Sequence, residues 1–171
     1  YYEVVTGIPT HGKSEFVDSR MLGLNLNYGY KCAFVSVENK PTVLHVDKIV
    51  RKILGYKPSR REHIDSEDYR RTVDYVNENF FFVDFRDGYD LERSLEKIKE
   101  LIFRKGVKTF VLDPFNKIRY KGRVDNITGI SINDYTASYL NIVGDFCSKY
   151  DVFGTLVAHP TKMKKESGKY E

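Results

Sequence analysis

The residues best suited to chemistry sit near the start of the chain, in the stretch Gly7-Ile8-Pro9-Thr10-His11-Gly12-Lys13-Ser14. Gly-x-x-x-x-Gly-Lys-Ser is the spacing of a loop whose backbone N–H groups curl around phosphate oxygens. Its lysine reaches the outer phosphates and its serine hydroxyl can ligate magnesium. The apolar run Tyr1 to Thr6 before the loop reads as a strand, and Ser14 to about Asn27 after it reads as a helix. A helix N-terminus there adds partial positive charge where phosphates would lie. A turn with an incidental lysine is the plainer alternative, but context and all four fixed positions favour phosphate. Gly7, Pro9, Thr10, His11, Gly12, Lys13, Ser14 and Glu15 are therefore the expected nucleotide-binding residues.

Three further strand ends carry residues that phosphate chemistry needs. Lys108 to Asp113 ends in a carboxylate, which suits the water shell of a magnesium ion, although aspartate is also a common turn residue after a strand. Glu38 lies just past the run Cys32 to Val37, where it could polarise an attacking water or could be a surface charge. His159 closes the segment Val152 to Ala158, placed either to touch a transferred phosphate or to serve as an ordinary loop histidine.

The elements that must position these residues can be read from hydrophobic periodicity. Cys32 to Val37, Phe80 to Phe85, Lys108 to Asp113 and Val152 to Ala158 are short apolar runs of the kind buried parallel strands show. Between them, helical spacing marks Ser14 to Asn27 (Phe16, Val17, Met21, Leu22, Leu24 inward) and Thr42 to Leu54 (Val43, Val46, Ile49, Val50, Ile53 inward). It also marks Ser66 to Asn79, Leu91 to Lys105 (Leu91, Leu95, Ile98, Leu101, Ile102 inward) and Ile132 to Tyr150. Gly55 to Asp65 reads as a polar loop. The alternation implies an α/β fold with a mainly parallel sheet covered by helices on both faces, and ligands in such sheets sit beyond the strands' carboxyl ends.

With 171 residues, 41% of them apolar, the chain supports one domain, residues 1–171. It contains no run of eighteen or more apolar residues and no secretory signal pattern, so a soluble, intracellular protein without a membrane role is expected. Cys32 and Cys147 lack CxxC partners and read as buried thiols, not as a disulfide or zinc site. The net charge of +4 is concentrated late: Asn116 to Arg123 carries four bases and no acid, and Thr161 to Lys169 carries four lysines and one acid.

The motifs GIPTHGKS, VSVENK, FVLDPFNK and VAHPTK, in that order, resemble those of the helicase domain of DnaB-type replicative helicases within the RecA-like ATPases. The histidine of the last motif resembles the Twinkle-like and phage primase-helicase branch most. The resemblance implies a RecA-like phosphate-loop NTPase core that hydrolyses ATP with Mg²⁺ and couples this to translocation on single-stranded DNA. It assigns Lys13 and Ser14 to phosphate and magnesium, Asp113 to magnesium, Glu38 to the catalytic base and His159 to a γ-phosphate sensor. It further implies a homo-oligomeric ring, a hexamer, and a bacterial or phage-encoded cytoplasmic protein. Both basic segments fall where the family places DNA-facing loops, so Lys117, Arg119, Lys121, Arg123, Lys162 and Lys164 are the expected DNA contacts. Tyr120 could stack on a base or simply pack. The family continues beyond the position of Glu171 into strands that bear an arginine finger, so the chain reads as a core truncated at its C-terminus. Two alternatives stay open: a RecA-like ATPase in recombination or nucleotide-controlled assembly, and a fragment that binds nucleotide without hydrolysing it.

Overall fold

The computed structural model describes residues 1–8, 11–55, 65–119 and 132–159. Five strands, β1 (Tyr2–Val5), β2 (Lys31–Ser36), β3 (Phe80–Val83), β4 (Val107–Asp113) and β5 (Phe153–Val157), pair in parallel in the order β1-β5-β4-β2-β3. Helices α1 (Lys13–Tyr28), α2 (Thr42–Leu54), α3 (Ser66–Asn79), α4 (Leu91–Lys105) and α5 (Ile132–Tyr150) connect them, and a 3-10 turn, Phe115–Lys117, follows β4. Parallel neighbours need crossovers, which the helices supply. The result is an α/β fold of the RecA-like phosphate-loop type.

Alternation along the central strands explains the two helical layers. Cys32 and Phe34 of β2 and Val111 of β4 turn toward α1, α2 and α3, where Val17, Met21, Leu22, Ile49, Val50 and Val76 pack on them. Ala33 and Val35 of β2 and Phe110 and Leu112 of β4 turn the other way, onto Leu91, Leu95 and Ile98 of α4 and Tyr139, Val143 and Cys147 of α5. A strand buried on both faces must be apolar at successive positions, and that is why these segments read as continuous runs. Both cysteines are free and buried. Two residues expected inward are not: Phe16 is 55% exposed and Val43 73% exposed. Each lies in the first turns of its helix, flanking the Gly7 and Glu38 loops, where the helix leads out from the sheet edge.

Helix ends follow local chemistry. The Asp65 carboxylate accepts the Glu67 N–H at 2.8 Å to cap α3, and Asp90 accepts the Arg93 N–H at 2.8 Å to cap α4. Among the described residues, no helix is long and apolar enough to cross a membrane. In β5, Gly154 is required by close approach, because a Cβ there would lie 2.7 Å from Phe110 Cζ and 3.2 Å from Cys147 Sγ. Gly154→Ala should therefore destabilise the protein by roughly 1–3 kcal/mol through overpacking, measured as a lower urea midpoint with an unchanged m-value.

Candidate active site

The sheet register delivers four chemical groups to one edge. Val5 of β1 is level with Val157 of β5, Leu156 of β5 with Leu112 of β4, and Asp113 of β4 with Ser36 of β2. Two backbone bonds continue this alignment past the strands: the Ala158 N–H donates to Val5 O at 2.8 Å and the Val37 N–H to Asp113 O at 2.9 Å. The Gly7 loop, Glu38, Asp113 and His159 therefore leave the sheet side by side, at the carboxyl ends of their strands.

Glu38, Asp113 and His159 form a tight cluster, with one ligand-capable atom of each within 4.8 Å of the others. Asp113 is buried and lies on the same face of β4 as Val111. Its Oδ2 accepts from Asn39 Nδ2 at 3.2 Å, while its buried Oδ1 has no hydrogen-bond partner among the described residues. Burial, with the Glu38 charge adding to it, pushes the Asp113 carboxyl above the ordinary carboxylate range, and His159 opposes this only in part. A desolvated carboxylate with one open oxygen is the donor a hard cation prefers. Glu38 is half exposed, and both its oxygens are engaged: His159 Nε2 lies 3.4 Å from Oε2 and Lys117 Nζ 2.5 Å from Oε1. The loop that carries Glu38 is fixed at several points. The Asn39 N–H donates to Ser36 Oγ at 3.0 Å, and Lys40 pairs with Asp84 at 2.7 Å, to which the Tyr89 hydroxyl also donates at 2.6 Å. Cis peptide bonds join Lys40 to Pro41 and Asp113 to Pro114.

On the phosphate-loop side, Gly12 is the N-cap of α1 with φ 80° and ψ 14°, a left-handed conformation that glycine adopts without steric cost. Lys13, the first residue of α1, donates from Nζ to Gly7 O at 2.8 Å and to Ile8 O at 3.2 Å, so its ammonium lies over the loop. Ser14 follows, half-buried, and His11 is exposed at the loop's rim. The Glu15 carboxylate points to α2, where Lys48 (2.7 Å) and Lys52 (2.5 Å) hold it. Burial would push it up, but these hydrogen bonds and charges bring it below its ordinary value.

Sequence reasoning did not find the buried ionic network beside this loop. Asp18 of α1 meets His45 Nε2 at 2.9 Å and Lys48 Nζ at 2.6 Å, with both the Asp18 and His45 side chains 2% exposed. Burial works against the Asp18 carboxylate, yet His45 and Lys48 outweigh it and hold its pKa below the usual range. The His45 ring packs edge-on against Phe34 and Phe82, at 4.9 and 5.0 Å. The available signal was an aspartate inside the apolar stripe of α1, between Val17 and Met21, and a histidine inside that of α2.

The structure thus brings together Glu38, Asp113 and His159, and adds Asn39 and Lys117. Of the expected DNA contacts, Lys117 and Arg119 are exposed in the segment after β4, and the Arg119 backbone pairs with Tyr89 and Leu91 (3.0 and 2.7 Å). Pro9, Thr10, Tyr120, Lys121, Arg123, Lys162, Lys164 and most of the 55–65 loop lie outside the described residues.

A loop of this spacing between strand and helix, with acidic and imidazole groups at the neighbouring strand ends, defines a phosphate-loop NTPase domain. Within that class, the chain is similar to the Twinkle homolog protein, chloroplastic/mitochondrial, of Arabidopsis thaliana. The two are 28% identical over 179 aligned positions, covering 96% of this chain and 24% of that protein. The chain therefore spans about a quarter of its relative's length. No family model matches the chain. The similarity supports a relation to Twinkle-like proteins.

Because the Asp113 carboxyl is raised in the folded state, the native protein holds its proton at pH values where the unfolded chain has released it. Stability from this group is present below the ordinary carboxylate range and is lost as pH rises through the raised pKa. Asp113→Asn should accordingly melt at a higher temperature than the parent at neutral pH, and the gap should close as the buffer is acidified below the carboxylate range.

Proposed function

We propose that this chain is the ATPase core of a DNA helicase of the DnaB and Twinkle-like type, which hydrolyses ATP and couples the reaction to movement along single-stranded DNA. The observation that carries the reading is the convergence of Glu38, Asp113 and His159 within 4.8 Å at strand ends adjoining the Gly7–Ser14 loop. The name of the Arabidopsis relative adds support for the Twinkle-like branch.

In this reading the loop amides and the N-terminus of α1 bind the phosphates of ATP, and Lys13 exchanges its two carbonyl partners for phosphate oxygens. Ser14 and the open Oδ1 of Asp113 would hold Mg²⁺, which supplies charge neutralisation along the phosphate chain. Glu38 orients a water for in-line attack on the γ-phosphorus and accepts its proton, while the bond to the β–γ bridging oxygen breaks and ADP leaves. His159, whose Nε2 lies 3.4 Å from Glu38 Oε2, would register the γ-phosphate. The exposed bases after β4 contact the DNA backbone without reading sequence. A homo-oligomeric ring, hexameric as in the resembling family, would complete each site with a group from the neighbouring subunit.

Two substitutions test the assignment in the full-length parent protein. Lys13→Ala should abolish ATP turnover, and turnover at the parental rate would exclude the loop from the chemistry. Glu38→Gln should leave ATP binding within about twofold of the parent and lower kcat by about a hundredfold or more, as expected for loss of a general base. Calorimetry for binding and phosphate release for turnover separate the two effects.

A further inference from the structure

Lys117 is the one member of the basic segment that the described structure ties to the catalytic cluster. Its backbone is fixed: the Lys117 N–H donates to Pro114 O and the Ile118 N–H to Phe115 O, both at 3.1 Å. Ile118 is buried and Arg119 is paired through its backbone to Tyr89 and Leu91, so the Lys117 side chain can change partner without its backbone moving. That side chain is about half exposed and ends 2.5 Å from Glu38 Oε1. A half-exposed ammonium paired with a half-exposed carboxylate is held weakly enough to be captured by a stronger or more extended anion. A nucleic-acid backbone lying on the segment is such an anion.

We infer that Lys117 is shared between Glu38 and a phosphodiester of bound single-stranded DNA, so that it acts as a positioning residue for the catalytic base. With Lys117 on Oε1, the carboxylate oxygen that would accept a proton from water is occupied. When DNA draws Lys117 away, that oxygen is released. The inference rests on the proposed reading of the chain as a DNA-coupled ATPase and deepens it, because it gives a direct link between the strand and the chemistry that passes through one side chain. It also divides the basic segment: Lys117 serves the coupling, and Arg119, whose side chain has no acidic partner among the described residues, serves the strand alone.

Linkage makes the inference testable without hydrolysis, since groups that compete for one lysine must weaken each other reciprocally. The measurement is fluorescence anisotropy of a labelled oligo-deoxythymidylate, without nucleotide, at several salt concentrations. Glu38→Gln should tighten binding by about two- to fivefold, the range released when a surface ion pair is broken. The log–log salt dependence should stay unchanged in Glu38→Gln, because Lys117 reaches the same phosphate in both proteins, and should become shallower by about 0.7 in Lys117→Ala, one phosphate contact fewer on a single strand. In a Lys117→Ala background the same Glu38→Gln change should do nothing, and in a Lys117→Arg background the gain should return. A gain that persists without Lys117 reflects only a lost negative charge nearby and overturns the inference, as does no gain in the parent background. If the parent itself does not bind the oligonucleotide at low salt, the DNA reading fails and takes the inference with it, a result distinct from normal binding without coupling.

Discussion

Ser36 of β2 stands opposite Asp113 of β4, and one residue further on the Val37 N–H closes a 2.9 Å bond to the Asp113 carbonyl. The site depends on that register. Strand side chains alternate between faces, so a one-residue slip of β4 would carry Asp113 from the α1–α3 side of the sheet to the α4–α5 side and exchange Val111 for Leu112 in the opposite core. The alternating apolar residues of β2 and β4 fix the register by packing. The chemistry at the strand ends is thus positioned by hydrophobic contacts well below it.

Two buried carboxylates on the same side of the sheet show how burial separates structure from function. Asp18 meets the His45 ring at one oxygen and the Lys48 ammonium at the other, and its charge is stabilised although it is buried. Asp113 is as deeply buried, but Asn39 meets only one oxygen and Glu38 adds a like charge. Removing one partner from the first network leaves a buried charge uncompensated, which is costly. The second arrangement is costly already, and such a cost persists where a ligand can relieve it.

Most of the fold could be read from sequence because doubly buried parallel strands and amphipathic helices have distinct periods. Strand and helix limits fall within two residues of expectation, as in Phe80–Val83 against the expected run to Phe85. Phe16 and Val43 misled because periodicity counts a residue as inward without knowing where its helix leaves the sheet. The groups of the site were legible individually, since each ends a recognisable strand. Their partners were not. Lys117 and Glu38 are 79 residues apart, and a row of bases looks the same whether one of them faces solvent, a phosphate or a distant carboxylate. Asn39 was equally silent: hydrogen bonds between side chains on different elements leave no period in the sequence.

The ionic contacts between α1 and α2 have a mechanical consequence. Glu15, Asp18 and Ser19 on the first helix are bound to His45, Lys48 and Lys52 on the second through five contacts between 2.5 and 3.1 Å. These helices begin directly after the Gly7 loop and the Glu38 loop, so the two loops ride on one braced frame. The segment after β4 is held instead by its backbone bonds to Tyr89 and Leu91, and its Lys117 side chain meets the frame at Glu38. Neither loop can shift on its own helix without dragging the other, so the Gly7 and Glu38 loops behave as a single mechanical part.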